Sequence, residues 1–309
     1  MKKWQFAIVA AGAALTLVLI DSWFFYLRWF DAPPVDTGAP RPASELVEQG
    51  AYLVNGPGRC ADCHGDPARR REIARGQVVP LSGGFSEKIY LGEIIFPNIT
   101  PERQTGIGSL DADGIHRFFR SGINHRGEYG LPFMNYERLT PGDITAILAY
   151  LRSQPAVRHE VARSRYNLLG RFALAWFIRP PEPPPAFRDN HAGEVSAERG
   201  RYLAEALGSC RDCHTDRSLY TGEFTGPAYG GGMPFTNPDD PEELILSPDL
   251  RPDRDGEVAR LGREAFVRRF QSGAMREWSP MPWGPFSRMT RPDLESLYLY
   301  LAQLPPAGE

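Results

Sequence analysis

Runs of like charge are missing from this chain. Its 309 residues carry a net charge of −3, and no basic run exceeds Arg69-Arg70-Arg71, which leaves no patch for a nucleic-acid backbone. Strand-like alternation is missing as well. In its place stand 31 glycines and 29 prolines, which imply a large share of irregular loop. Cysteine is scarce. The four residues sit in two short stretches, "GRCADCHGDP" at 58–67 and "GSCRDCHTDR" at 208–217, each with two residues between the cysteines and a histidine immediately after. Methionine is thin too, with Met134 the only one between the initiator and Met233.

The N-terminus holds the one long apolar run. Lys2 and Lys3 precede an apolar stretch from Phe6 to Ile20, followed by Trp23, Phe24, Phe25, Tyr26 and Trp29. Counted to Leu27 it is 22 residues, roughly 33 Å of helix at about 1.5 Å per residue, enough to cross a bilayer. The small residues Ala10 to Ala14 lie inside the run rather than after it, where a signal peptidase would cut, and no cysteine lies near to carry a lipid. The reading is an uncleaved single-pass anchor of the inner membrane, with the lysines in the cytoplasm and everything beyond Asp31 in the periplasm.

The chain repeats itself at an offset of 150 residues. Gly50-Ala51-Tyr52-Leu53 falls on Gly200-Arg201-Tyr202-Leu203, and Cys60, Cys63 and His64 fall on Cys210, Cys213 and His214. Thr140, Asp143, Tyr150 and Leu151 fall on Thr290, Asp293, Tyr300 and Leu301, and between the copies lies the proline-rich "RPPEPPPAF" at 179–187. Each copy reads as a first helix (44–55, then 196–207), the cysteine motif, a glycine- and proline-rich stretch with a short helix (113–121 or 263–272), and a final helix capped by Thr140 or Thr290. Gly50 and Gly200 are expected to let the first and last helices of each copy approach closely, with Tyr150 and Tyr300 packed at the crossings. The expected fold is all-α: an N-terminal transmembrane helix at 1–30, a linker at 31–43, a domain at 44–155, an interdomain helix and proline-rich linker at 156–190, and a domain at 191–309. The apolar segment 165–181 is too short, and too interrupted by Arg171, to span a bilayer; it packs the two domains together or touches a membrane surface or a partner.

Spacing sorts the chemistry open to the cysteines. Zinc ribbons space their pairs by about 15–20 residues, whereas Cys63 and Cys210 lie 147 apart. A disulfide across two residues is strained and has no use for the histidines, and a thioredoxin-type pair needs a βαβ context that is missing. Covalent haem fits. Positions i, i+3 and i+4 share one helical face, so Cys60 and Cys63, and again Cys210 and Cys213, can form thioethers to the two vinyl groups of a haem while His64 or His214 reaches the iron. Two covalently bound haem c groups are expected.

Each iron then needs one more ligand. Met134, in "GLPFMNYERLT", lies 70 residues past His64, just before the final helix of its copy. Met281, in "WSPMPWGPF", lies 67 residues past His214, again before the final helix. Met289 aligns with the apolar Leu139 and reads as core, and Met275 has no counterpart in the first copy. Of the other histidines, His125 reads as exposed or beside the haem, and His159 and His191 as surface residues. The second copy has only His214, so a second histidine ligand cannot come from it. Met134 and Met281 are therefore the expected axial ligands opposite His64 and His214.

"PNITPERQTGIGSLDADGIHRFFRSG", "LPFMNYERLTPGDITAILAYLRS", "RGRYLAEALGSCRDCHTDR" and "MPWGPFSRMTRPDLESLYLYL" resemble the cytochrome c domains of multihaem cytochrome subunits that serve membrane-bound alcohol and gluconate dehydrogenases. The resemblance covers roughly 44–305. It implies two tandem class I cytochrome c folds with His/Met haems, acting as electron carriers and not as an enzyme in their own right. Those subunits often carry three haems and a C-terminal anchor, where this chain has two motifs and an N-terminal apolar run. The implied partners are the bilayer, a dehydrogenase or quinol-oxidising complex, and a soluble cytochrome or terminal oxidase. The competing reading is a dihaem enzyme, a peroxidase or sulfur-compound oxidase with one open iron; a gas sensor would need an output domain.

Overall fold

The computed structural model describes residues 3–25 and 43–306, apart from 128, 131–133, 135, 181, 219–221, 238, 254–255 and 274–277. The apolar run does form a helix, α1 (Lys3–Phe25). Among the described residues, however, no helix is long and apolar enough to cross a membrane. The transmembrane anchor is corrected on that finding, and with it the single-pass inner-membrane placement, the bilayer as partner and the periplasmic assignment that hung on it. The aromatic cluster from Trp23 to Trp29 lies outside the described side chains. Rather than standing alone, α1 lies alongside a later helix of the same chain, described below.

The first half runs α2 (Ala43–Asn55), α3 (Ala61–His64), α4 (Arg70–Ala74), a hairpin of β1 (Ser86–Ile89) and β2 (Gly92–Ile95), α5 (Ala112–Ser121) and α6 (Pro141–Ser153). The segment 165–181 follows as β3 (Arg165–Tyr166) and α7 (Leu168–Trp176). β3 adds to the hairpin edge, with Arg165 and Tyr166 opposite Glu93 and Gly92. α7 lies against α1 and the hairpin turn, where Gly170 abuts the Leu91 backbone. The apolar segment is thus taken up largely by the first half, with Leu168, Leu169, Trp176 and Phe177 left exposed.

The second half repeats the order. α8 (Ala197–Tyr202) continues as a π-helical turn (Leu203–Leu207) into α9 (Cys210–Cys213), then β4 (Pro234–Thr236) and β5 (Leu244–Leu246), α10 (Glu257–Gln271), α11 (Trp283–Phe286) and α12 (Arg291–Leu301). Helix dominates, in keeping with the all-α reading, though short strands that the sequence did not show are present as well. They are two to four residues long, too short for alternation to show in sequence. α10 begins earlier than expected and is interrupted at Gly262, whose φ of 66° breaks the helical run.

Helix ends and crossings follow from particular residues. Thr140 Oγ1 accepts the Asp143 N–H at 3.2 Å, and Thr290 Oγ1 accepts that of Asp293 at 3.3 Å. Each cap contributes about 1 kcal/mol. α2 packs on α6 and α8 on α12. At the first crossing a Cβ on Gly50 would overlap the Ala146 carbonyl oxygen and lie 2.7 Å from the Tyr150 Cβ; at the second, one on Gly200 would overlap the Ser296 carbonyl oxygen and lie 2.8 Å from the Tyr300 Cβ. Glycine is required at both, and the tyrosines pack where expected.

The two halves are joined by exchanged contacts. Tyr52, on the first helix of one half, donates its hydroxyl to Asp293 Oδ2 at 2.5 Å, at the start of the last helix of the other. Tyr202 does the same to Asp143 Oδ2, also at 2.5 Å. Each tyrosine hydroxyl also accepts a threonine cap N–H at 3.3 Å, from Thr290 and Thr140 respectively. The carboxylates are buried and differently matched. Arg199 holds Asp293 with two hydrogen bonds of 2.7 and 2.8 Å, whereas Asp143 is served by Gln49, Asn190 and Tyr202. Around this polar centre the buried apolar residues of both halves form one continuous cluster, from Leu53 to Leu301.

Candidate functional site: two cysteine–histidine turns

A left-handed residue opens each motif. Arg59 has φ 41° and Ser209 φ 49°, turning the chain from the preceding helix into the cysteine turn. From there the backbone closes a helical loop, with the His64 N–H donating to the Cys60 carbonyl at 2.8 Å and the His214 N–H to Cys210 at 3.0 Å. The two sulfurs and the imidazole of each motif therefore leave one short turn, as their spacing requires.

Both histidines are buried and held alike. His64 Nδ1 lies 2.9 Å from the Pro97 carbonyl oxygen, and His214 Nδ1 lies 2.9 Å from that of Pro248. A carbonyl can only accept, so the ring proton sits on Nδ1 and the lone pair on Nε2. That is the arrangement of a metal-ligating imidazole oriented by its second nitrogen. Burial lowers both imidazole pKa values, which favours the neutral ring a metal needs. Each histidine's own carbonyl is tied as well, accepting from Gly83 at 2.7 Å and from Gly231 at 2.8 Å. Both glycines have positive φ, 75° and 71°.

All four cysteines are free and half-buried. Burial pushes the Cys60 and Cys210 thiols up to about 12 and Cys63 up to about 11, and raises Cys213 too. Thiols so disfavoured as thiolates are poor ligands for a soft metal ion. Among the described residues, moreover, no group of three or more Cys, His, Asp or Glu is placed to hold a metal ion. The donor set fits a haem better: two unbridged thiols beside one neutral, oriented imidazole, twice over.

Met134 and Met281 are half-buried and both pack against the apolar cluster. The backbone of Met281 is fixed by its N–H to Ser279 Oγ at 3.2 Å and by its carbonyl, which accepts from the Trp283 N–H at 2.8 Å. Met289 is buried in the core as its alignment implied, and Met275 lies outside the described residues. His125 is exposed on a turn. His116 is buried on α5, its Nε2 3.3 Å from the Thr145 hydroxyl. His159 is less of a surface residue than its place beside the linker implied, since its Nδ1 sits 2.9 Å from the Ser82 carbonyl oxygen.

The residues that sequence reasoning passed over are Pro97 and Pro248. Their signal was present: "PNI" at 97–99 and "PDL" at 248–250 fall 33 and 34 residues past the two histidines. Tyr136 was also missed; its hydroxyl donates to the Gly58 carbonyl at 2.5 Å, tying the segment that carries Met134 to the start of the first motif.

No family model matches the chain. It is 30% identical over 249 residues to one of the subunits of the nicotinate dehydrogenase of Pseudomonas putida, covering 75% of this chain and 19% of that protein. It is 31% identical over 181 residues to the gluconate 2-dehydrogenase cytochrome c subunit of Pantoea cypripedii, covering 56% and 39%. Over 170 residues it is 32% identical to a "diheme cytochrome c-type" of Cereibacter sphaeroides, covering 52% and 54%. The chain thus spans between about a fifth and about half the length of these relatives. By sequence it resembles the cytochrome c subunits of dehydrogenases and a dihaem c-type cytochrome.

Proposed function

We propose that the chain is a dihaem c-type cytochrome that passes electrons from a dehydrogenase subunit to a further redox protein. The observation that carries this is the paired motif, in which a buried imidazole is oriented by a proline carbonyl beside two free thiols, once in 44–155 and once in 191–309. Cys60 and Cys63 would attach one haem c and Cys210 and Cys213 the other. His64 and His214 would bind iron through Nε2, and Met134 and Met281 would each supply a thioether as the second protein ligand. Each haem supplies a one-electron Fe(III)/Fe(II) couple in which no atom is transferred.

The chain's own residues do the rest. Pro97 and Pro248 fix the tautomer and aim of the imidazoles. The apolar cluster around both motifs keeps water away and so limits the reorganisation that accompanies a change of charge. As iron ligands, the methionine thioethers would favour the reduced state and raise the potential relative to a second histidine. The relatives' names support a dehydrogenase as donor; a soluble cytochrome or terminal oxidase is the acceptor in this reading.

The test is a count. Intact mass of the protein matured in a host with the haem-attachment machinery should show two covalent haem adducts. The double replacement Cys60→Ala with Cys63→Ala should remove one and leave the other. A single adduct in the native protein, or stoichiometric zinc in its place, would refute the reading.

A further inference from the structure

His64 is held at two points, and one later segment reaches the neighbours of both holders. Its ring is oriented by the Pro97 carbonyl at 2.9 Å, and its own carbonyl accepts from the Gly83 N–H at 2.7 Å. After α6 the chain returns to these two stretches through the segment 155–164, which then joins the hairpin as β3. Asn98, directly after Pro97, is 2% exposed and donates its Nδ2 to the Val157 carbonyl at 2.8 Å. His159 sets its ring Nδ1 against the carbonyl of Ser82, directly before Gly83, at 2.9 Å. The contacts around Asn98 close on themselves. Its Oδ1 accepts from the Thr100 N–H at 2.9 Å and hydroxyl at 2.7 Å. Thr105 Oγ1 accepts from Asn98 Nδ2 at 3.2 Å and from the His159 N–H at 3.1 Å. Further along, Ser164 Oγ accepts the Ile95 N–H at 3.0 Å.

The second half holds His214 by the same pair of bonds, but there the residue after the proline is Asp249. A carboxylate cannot donate to a carbonyl, and this one accepts instead from the backbone and side chain of Arg251 at 2.8 and 3.0 Å. We propose that Asn98 is a positioning residue: through it the segment 155–164 fixes the Pro97 carbonyl against the His64 ring, and so sets the donor strength of that imidazole in the first half alone. The inference rests on the dihaem reading above. A carbonyl held firmly on the Nδ1 proton makes Nε2 the stronger donor, which favours oxidised iron. A loosened carbonyl does the reverse and lets the potential rise. Burial makes the anchor firm, because an Asn98 amide parted from Val157 would find no water to replace it.

The test joins potentiometric titration with NMR exchange of the histidine ring protons in the reduced holoprotein, each variant first shown to carry two covalent haems. The Cys60→Ala/Cys63→Ala double variant, which keeps the second haem alone, assigns the two sets of signals. Asn98→Ala should raise the first haem's potential by about threefold in its redox equilibrium constant, about 28 mV for a one-electron couple. Exchange of the His64 Nδ1 proton should quicken about tenfold, the effect of losing one net hydrogen bond. The second haem's potential and the His214 proton should not move. If Asn98→Ala fails to fold or loses a haem, Thr105→Val takes its place. It removes the hydroxyl shared by Asn98 and His159, keeps the Thr100 bonds, and should shift both first-haem readouts in the same directions. A first-haem potential that stays or falls, or equal shifts at both haems, overturns the inference. A native protein with fewer than two covalent haems refutes the dihaem reading instead, so the two failures are distinct.

Discussion

Alanine at position 50 or 200 is expected to destabilise the protein by about 3 kcal/mol or more, a fall of roughly 6–12 °C in the unfolding midpoint. At each site the added Cβ meets backbone, the carbonyl oxygen of Ala146 or of Ser296, and beyond it the Cβ of Tyr150 or Tyr300 at 2.7 or 2.8 Å. A flexible side chain could swing aside, but a carbonyl inside a helix cannot. The helices must therefore separate, and each pair carries a large part of its half's buried apolar surface. Thermal unfolding followed by far-ultraviolet circular dichroism reads the effect. A midpoint unchanged in both single variants would show that the crossings are looser than the contacts imply.

Replacing Met134 or Met281 with Ala should leave both haems attached and open one iron in each variant. Attachment depends on the cysteines, whereas the sixth bond depends on the thioether. The near-infrared sulfur-to-iron band of the oxidised protein should fall by half in either single variant and vanish in the double one. The opened iron should take up carbon monoxide rapidly when reduced, one equivalent per protein. Because both methionines are already half-buried against the core, their loss costs packing as well, about 2–5 kcal/mol for a buried Met→Ala change and less at half burial. A band that survives intact in Met281→Ala would move the ligand role to Met275 or Met289.

What the sequence disclosed was what repeats. The 150-residue offset marks Gly50 and Gly200, the threonine caps, and both cysteine turns, because each rests on local chemistry within one helix or one turn. The same offset also marks Tyr52 with Tyr202 and Asp143 with Asp293, yet gives no sign that they pair crosswise. Tyr52 and Asp293 lie 241 residues apart, and no periodicity spans such a distance. The short strands escaped for the opposite reason: they are too brief to alternate, and Gly92 sits in β2 because the Arg165–Tyr166 backbone comes close, not because of any pattern in its own neighbours. The apolar N-terminus misled in a third way. Composition reports that a helix must cover its surface but not with what, and part of the cover for α1 is α7.

The central claim is that both irons are closed relay centres rather than sites of reaction. Carbon monoxide titration of the reduced native protein tests it most directly. A relay needs both axial positions filled, and each half offers a methionine at the same place before its final helix. The expected result is binding that is slow and well below one equivalent per protein, reflecting occasional opening of a weak thioether bond. Rapid binding of one full equivalent to the native protein would contradict the claim and mark that haem as the open site of an enzyme.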